Sequence, residues 1–178
     1  MLKNKCDLIF CETTELEELL VKCKGVDAIF WSTWAAHNKL TAEVLDAVGP
    51  QLKSISTFSA GFEYIDVGEL KRRKIPLGCT PGVLNDSVAD IAIGLAIAAS
   101  RRFQESRQKI ENAKWEKRPM WLLGQEIRDS IVGIVGFGGV GKTIAERLTG
   151  FKVSKILYTG NKRKPEAEKI NANFVTFS

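Results

Sequence analysis

The chain has 178 residues, a formal net charge of +5 and an apolar fraction of 44%. That length allows one domain or two small ones, and the apolar share can build a core, which excludes wholesale disorder. Much of the positive excess lies in residues 101–118 and 152–169, and Glu105, Glu111 and Glu116 interrupt the first stretch; it reads as a solvated helix face, and a nucleic-acid partner is not expected.

Residues 6–11 read as a strand. Thr13 or Thr14 can cap a helix running to residue 21, with Glu15, Glu17 and Glu18 near its positive end. Residues 27–31 form a second strand, and residues 41–48 a short helix closed by Gly49-Pro50. A third strand, 52–58, runs into Ser59-Ala60-Gly61. Residues 66–73 are helical. Residues 75–79 are a short strand, whose Pro76 suits an edge or the start of the strand.

The strongest helix signal follows, with Asn85, Asp86 and Ser87 as caps. Residues 88–99 are apolar almost all round apart from Asp90, which predicts burial on every face. The segment reaches water at Arg101-Arg102 and is polar by Lys114. Residues 130–135 read as a buried strand, 136–141 as a turn, and 140–148 as an amphipathic helix stopped by Gly150. A strand at 155–159, a helix at 165–170 and the start of a strand at 173–177 complete the pattern. Strands alternating with helices imply parallel βαβ units and an α/β class. The natural boundary falls near residue 83, giving units of 1–83 and 84–178.

Cys6, Cys11, Cys23 and Cys79 form no C-x-x-C pair, and no histidine lies at ligand spacing from them, so zinc is not expected. They read as reduced thiols of a cytoplasmic protein. The apolar run after Lys3 and Lys5 is too short for a secretory leader, and residues 91–99 are too few to span a bilayer.

The segment Gly136-Phe137-Gly138-Gly139-Val140-Gly141 fits two patterns. As G-x-G-x-x-G it binds a dinucleotide. Gly136 makes the tight turn, Gly138 lets the backbone approach the pyrophosphate, and Gly141 lets helix and strand pack closely. With Lys142 and Thr143 it also fits a P-loop, in which the lysine reaches phosphates and the threonine holds Mg²⁺. Gly138 is not needed by a P-loop, and no aspartate follows Thr143 to hold the metal. The dinucleotide reading is therefore preferred, with Lys142 a surface residue. Its fingerprint places an acid at the end of the second strand, to bind a ribose 2′-hydroxyl. Here residues 155–159 are followed by Gly160, Asn161, Lys162, Arg163 and Lys164, with no acid before Pro165. A basic cluster attracts a 2′-phosphate where a carboxylate repels it, so NADP(H) is expected over NAD(H).

With these pieces placed, the chain resembles the D-isomer-specific 2-hydroxyacid dehydrogenases, from about Cys6 to Ser178. The most telling stretch is Ser56-Thr57-Phe58-Ser59-Ala60-Gly61-Phe62-Glu63-Tyr64-Ile65-Asp66. It continues through Thr80-Pro81-Gly82-Val83-Leu84, Asn85-Asp86-Ser87-Val88-Ala89-Asp90, Trp115, the glycine turn and the basic loop. Leu157-Tyr158-Thr159-Gly160 and Pro119-Met120-Trp121-Leu122 look most like the glyoxylate/hydroxypyruvate reductase branch.

The resemblance implies a partial flavodoxin-like substrate domain followed by a partial Rossmann coenzyme domain. It implies reduction of a small 2-keto acid by hydride transfer from a nicotinamide. Backbone groups at Ala60 and Gly61 would hold the substrate carboxylate. Gly138, Gly139 and Val140 would hold the pyrophosphate, and Asn161, Lys162, Arg163 and Lys164 the 2′-phosphate. It also implies a homodimer, with coenzyme-domain helices and the loop around Trp121 at the interface.

The family's catalytic Arg, Glu and His fall downstream of Ser178, and its first strand and helix fall before Met1. No residue here is therefore expected to be catalytic, and the chain alone is expected to be inactive and marginally folded. His37, the only histidine, reads as a surface or loop residue. Two other classes remain: a nucleotide-dependent protein-binding module of the corepressor type, and a P-loop nucleotidase.

Overall fold

The computed structural model describes residues 5–13, 15–31 and 39–176. The chain divides into two compact units, Met1–Val83 and Leu84–Ser178. Each is a three-stranded parallel sheet with helices, so the α/β expectation holds in both.

The first unit runs α1 (Leu16–Lys22), β1 (Ala28–Phe30), α2 (Ala42–Val48), β2 (Ser54–Ser56), α3 (Val67–Arg73) and β3 (Leu77–Gly78). The strands lie in the order β1-β2-β3. Strand β3 is therefore at an edge, as Pro76 predicts, and the Pro76 carbonyl accepts from Ile55 N at 3.0 Å. Leu40, Val44, Leu45, Val48, Ile55 and Leu70 are almost fully buried in the core. Burying an aliphatic side chain of this kind contributes about 1.5–3 kcal/mol.

Three sharp features shape the ends of these helices. Gly49 closes α2 at φ 101°, a region that favours glycine. Asp66 caps α3 by accepting from Glu69 N at 3.0 Å. Glu69 in turn pairs with Arg72 and Arg73, which hold its carboxyl down from 4.5 to about 2.

Residues 6–11 are not a strand. They run as exposed coil, with Phe10 at 69% exposure. The reason lies in where the backbone groups go: Lys22 Nζ donates to the Phe10 carbonyl at 2.9 Å, and Glu18 accepts from Glu12 N and Thr13 N, each at 2.8 Å. Side chains of α1 thus hold the end of this segment at Phe10 and the two residues that follow it. Thr13 Oγ1 accepts from Glu15 N at 3.3 Å; Thr14 lies outside the described residues, as does His37.

The second unit runs α4 (Asn85–Ser100), α5 (Phe103–Glu111), β4 (Ile131–Val135), α6 (Gly139–Thr149), β5 (Lys155–Thr159), α7 (Pro165–Glu168) and β6 (Ala172–Phe174). The sheet order is β4-β5-β6. Helix α4 packs against α6; Ala89 and Ala145 are fully buried, and Ile93, Ala145 and Leu148 share one core. Arg147 of α6 reaches back to Asp86 at 2.9 Å and Asp90 at 2.7 Å.

Two burial expectations fail in this unit. Helix α4 is buried along one stripe only, and Val88, Ile91 and Leu95 are exposed. Strand β4 is not buried either: Ile131 and Val135 are exposed and only Ile134 is in the core. Both are elements whose apolar residues point two ways, while the described residues cover one side. The cap of α4 also differs. Leu84 holds that position, because Asn85 lies against Gly139 and Asp86 pairs with Arg147. The helix breaks at Arg102, which is left-handed at φ 57°. Beyond it α5 is solvated, as the charge pattern predicts, with Arg102–Glu105 and Arg107–Glu111 pairs at 2.7 Å.

Candidate functional site

The glycine turn leaves β4 where the sheet ends. Val135 is in register with Thr159, and Gly136 N donates to the Thr159 carbonyl at 2.9 Å, so the turn and the loop after β5 start side by side. Gly136 sits at φ 91°. A Cβ at Gly136 or Gly138 would meet nothing within 4 Å, so the backbone faces open space there. At Gly141 a Cβ would lie 2.2 Å from the Gly136 carbonyl oxygen and 3.3 Å from Ile134. Gly141 therefore permits close packing of helix on strand, and Gly138 close approach from outside. The N–H groups of Gly139, Val140 and Gly141 open α6 and have no intrahelical acceptors. An anion placed there meets several donors and the positive end of the helix dipole.

Lys142 does not reach over the turn. Its ammonium lies 3.6 Å from Glu146, one helical turn on, and Thr143 Oγ1 donates to the Gly139 carbonyl at 2.9 Å. Both groups that a P-loop would aim at phosphate and metal are engaged along the helix instead. Among the described residues there is no group of three or more potential metal ligands.

The loop after β5 is anchored from below. Tyr158 is 1% exposed, its ring tilted against Phe137 and edge-on to Phe174, and its phenol oxygen accepts from Lys164 N at 2.8 Å. Gly160 passes close to Phe137 N, where a Cβ would stand at 3.9 Å. Asn161, Lys162 and Arg163 are exposed, and Lys164 is half-buried. None of the three basic side chains has an ion-pair partner among the described residues. Three cations thus stand beside the glycine turn without neutralisation.

In the other unit, Ala60 and Gly61 lie in the turn after β2. Thr80 N donates to the Ser59 carbonyl at 3.1 Å and Thr80 Oγ1 to the Phe58 carbonyl, fixing the start of this turn. No bond is made by the N–H groups of Ala60, Gly61 or Phe62 to any acceptor among the described residues.

Residues 1–178 match the profile of a family described as D-isomer specific 2-hydroxyacid dehydrogenase, catalytic domain. The chain belongs to that family. It is 39% identical over 179 aligned positions to a glyoxylate reductase of Thermofilum pendens, covering 97% of this chain and 51% of that protein. It is 42% identical over 135 positions to a human glyoxylate reductase/hydroxypyruvate reductase, covering 75% of this chain and 41% of the relative. Among solved structures, a glyoxylate reductase from Paecilomyes thermophila superposes with a TM-score of 0.77 at 28% identity, over 90% of this chain and 50% of that one. The chain spans about half the length of the curated relatives it matches.

Within this chain, sequence reasoning located both turns and the basic loop but not what holds them. Tyr158 was readable only as a strand residue. Asn85, read as a cap, instead packs its amide against Gly139, where a Cβ would be 2.5 Å away. The hydroxyl groups around Gly61 carried no periodic signal. No helix among the described residues is long and apolar enough to cross a membrane.

Proposed function

We propose that this chain carries the NADP(H)-binding turn and the substrate-carboxylate turn of a cytoplasmic 2-keto acid reductase, acting on a small acid such as glyoxylate or hydroxypyruvate. The observation that carries the cofactor half is the pairing of an open glycine turn with an unneutralised basic loop at the same end of two paired strands. Gly136, Gly138, Gly139, Val140 and Gly141 would hold the pyrophosphate. Asn161, Lys162, Arg163 and Lys164 would hold the 2′-phosphate, with charge-assisted bonds from Arg163 and the lysines. The nicotinamide, when bound, supplies the hydride. Ala60 and Gly61 present backbone N–H groups to the substrate carboxylate.

Neither turn carries a histidine to protonate the alkoxide that hydride addition creates, and the Ser59 and Tyr64 hydroxyl groups at the second turn are engaged with the Gly61 carbonyl. The chain alone is therefore expected to bind both reactants without turnover. NADPH oxidation by the pure chain with glyoxylate or hydroxypyruvate overturns that. The exposed stripe Val88, Ile91 and Leu95 is assigned to a homodimer contact, in keeping with the apolar character of permanent interfaces.

The test of the cofactor reading is a pair of titrations, NADPH against NADH, on the 178-residue chain. Charge-assisted bonds contribute about 1.5–3 kcal/mol each, so NADPH should bind at least about tenfold more tightly. A Lys162→Ala/Arg163→Ala double variant should lose that preference and keep its NADH affinity. Equal affinities in the unaltered chain would refute NADP(H) selection. Binding of ATP that requires Mg²⁺ and Lys142 would favour the nucleotidase reading instead.

A further inference from the structure

The turn after β2 is held by three hydroxyl groups. Thr57 is 3% exposed, and its Oγ1 lies 2.9 Å from both the Tyr64 phenol oxygen and Ser59 Oγ. It also accepts from Ser59 N at 3.3 Å. The Gly61 carbonyl accepts twice, from Tyr64 OH at 2.8 Å and from Ser59 Oγ at 2.7 Å. The Tyr64 and Ser59 oxygens are themselves in contact.

Each hydroxyl carries one proton, and a carbonyl oxygen has two lone pairs. Three hydroxyl protons thus serve five contacts, and the Gly61 carbonyl stands within reach of both Tyr64 and Ser59. Thr57, buried and accepting from Ser59 N, holds both of those oxygens at the carbonyl.

The consequence falls on the next amide. No peptide bond is cis, and a planar trans peptide points its N–H opposite to its C=O. With the Gly61 carbonyl drawn into the cluster, the Phe62 N–H faces away from it and finds no acceptor among the described residues. The exposed carboxylate of Glu63 lies against the same turn, since a Cβ on Gly61 would be 2.5 Å from its Oε2. That charge opposes an anion here, which leaves the oriented N–H groups as the favourable contribution.

We propose that Tyr64, backed by Thr57 and Ser59, is a positioning residue that turns the Gly61–Phe62 peptide so that the Phe62 N–H donates to the carboxylate of a 2-keto acid, beside the Gly61 N–H. This rests on the carboxylate reading of Ala60 and Gly61. Donors already aimed at a charged acceptor need no reorganisation on binding.

The test is a titration of the ¹⁵N-labelled chain with oxamate, an unreactive isostere of a 2-keto acid, followed at the amides of residues 60–62. In the unaltered chain the Gly61 and Phe62 resonances should move together and saturate. Tyr64→Phe should weaken binding about fivefold, as expected for one lost hydrogen bond, with the loss of response greatest at Phe62. Thr57→Val should do the same, and Thr57→Ser, which keeps the hydroxyl, should restore it. Recovery in Thr57→Ser separates positioning from a general packing effect and serves if Tyr64→Phe does not fold. Oxamate binding at these amides with equal affinity in Thr57→Val and Thr57→Ser overturns the positioning role alone. Absence of any response in the folded, unaltered chain overturns the carboxylate reading and this inference with it.

Discussion

Replacing Gly141 by alanine inserts one methyl group where α6 crosses the end of β4. The methyl carbon would stand 2.2 Å from the Gly136 carbonyl oxygen, against a practical minimum of 3.0 Å, so a backbone atom must retreat by about 0.8 Å. A carbonyl inside a turn cannot swing aside as a flexible side chain can. Overpacking costs about 1–3 kcal/mol, and against a backbone atom that cannot swing aside the upper part of that range, about 2–3 kcal/mol, applies, while exchanging glycine for alanine in a helix returns about 1 kcal/mol. The net loss is about 1–2 kcal/mol, or a melting temperature lower by about 5–15 °C for a unit of this size. Gly94 is the internal control. It lies in mid α4, and a Cβ there would meet nothing within 4 Å. Gly94→Ala should therefore raise the melting temperature by about 4–8 °C. Thermal melts followed by circular dichroism give both signs in one experiment, and an NADPH titration of Gly141→Ala should show weaker binding because the displaced peptide begins the turn. If both variants shift in the same direction, or if Gly141→Ala melts no lower than the unaltered chain, the account of this glycine is wrong.

Leu148→Ala, at a site 2% exposed and packed in the core of the second unit, should cost about 2–5 kcal/mol; a urea midpoint lowered by less than the equivalent of 1 kcal/mol would contradict that packing. Arg147→Ala should cost far less, about 0.5–1 kcal/mol by the same measurement, because both of its aspartate partners are exposed. Glu69 has its carboxyl depressed from 4.5 to about 2 by Arg72 first and then Arg73. A depressed carboxylate stabilises fully above its unfolded value and loses that contribution as pH falls through the folded one. The unaltered chain should lose stability between about pH 4.5 and pH 2, and Glu69→Gln should flatten that window in a pH series of melts. Tyr158→Phe removes the acceptor for Lys164 N and should weaken NADPH about three- to tenfold while leaving NADH little changed; equal losses for both would place the effect in the core instead.

Strand and helix identity was legible wherever the chain contains the partner. Residues 155–159 were read with their observed bounds because β5 has neighbours on both sides. Gly49, Asp66 and Gly150 marked helix ends through local chemistry that needs no tertiary context. Burial was less legible. Val88, Ile91, Leu95, Ile131 and Val135 are apolar, and composition says nothing of what covers them. Residues 6–11 were apolar enough for a strand, but the Phe10 carbonyl takes Lys22 and the N–H groups of the next residues, Glu12 and Thr13, take Glu18. In the candidate site, glycine spacing and charge announced the glycine turn and the basic loop after β5. The support of the Ala60–Gly61 turn did not announce itself, because Thr57, Ser59 and Tyr64 meet through a turn that has no repeat.

The way the loop after β5 is built bears on how the proposed coenzyme preference could change over generations. Its backbone is fastened at Lys164 to a buried phenol, while the side chains of Asn161, Lys162 and Arg163 project into solvent and brace nothing. Substitutions there should leave the fold undisturbed, so under the proposed NADP(H) reading coenzyme choice could drift or be selected at these positions almost independently of stability. A lineage could exchange one nicotinamide pool for the other through a few neutral steps, with Tyr158 as the fixed hinge-pin around which those experiments take place.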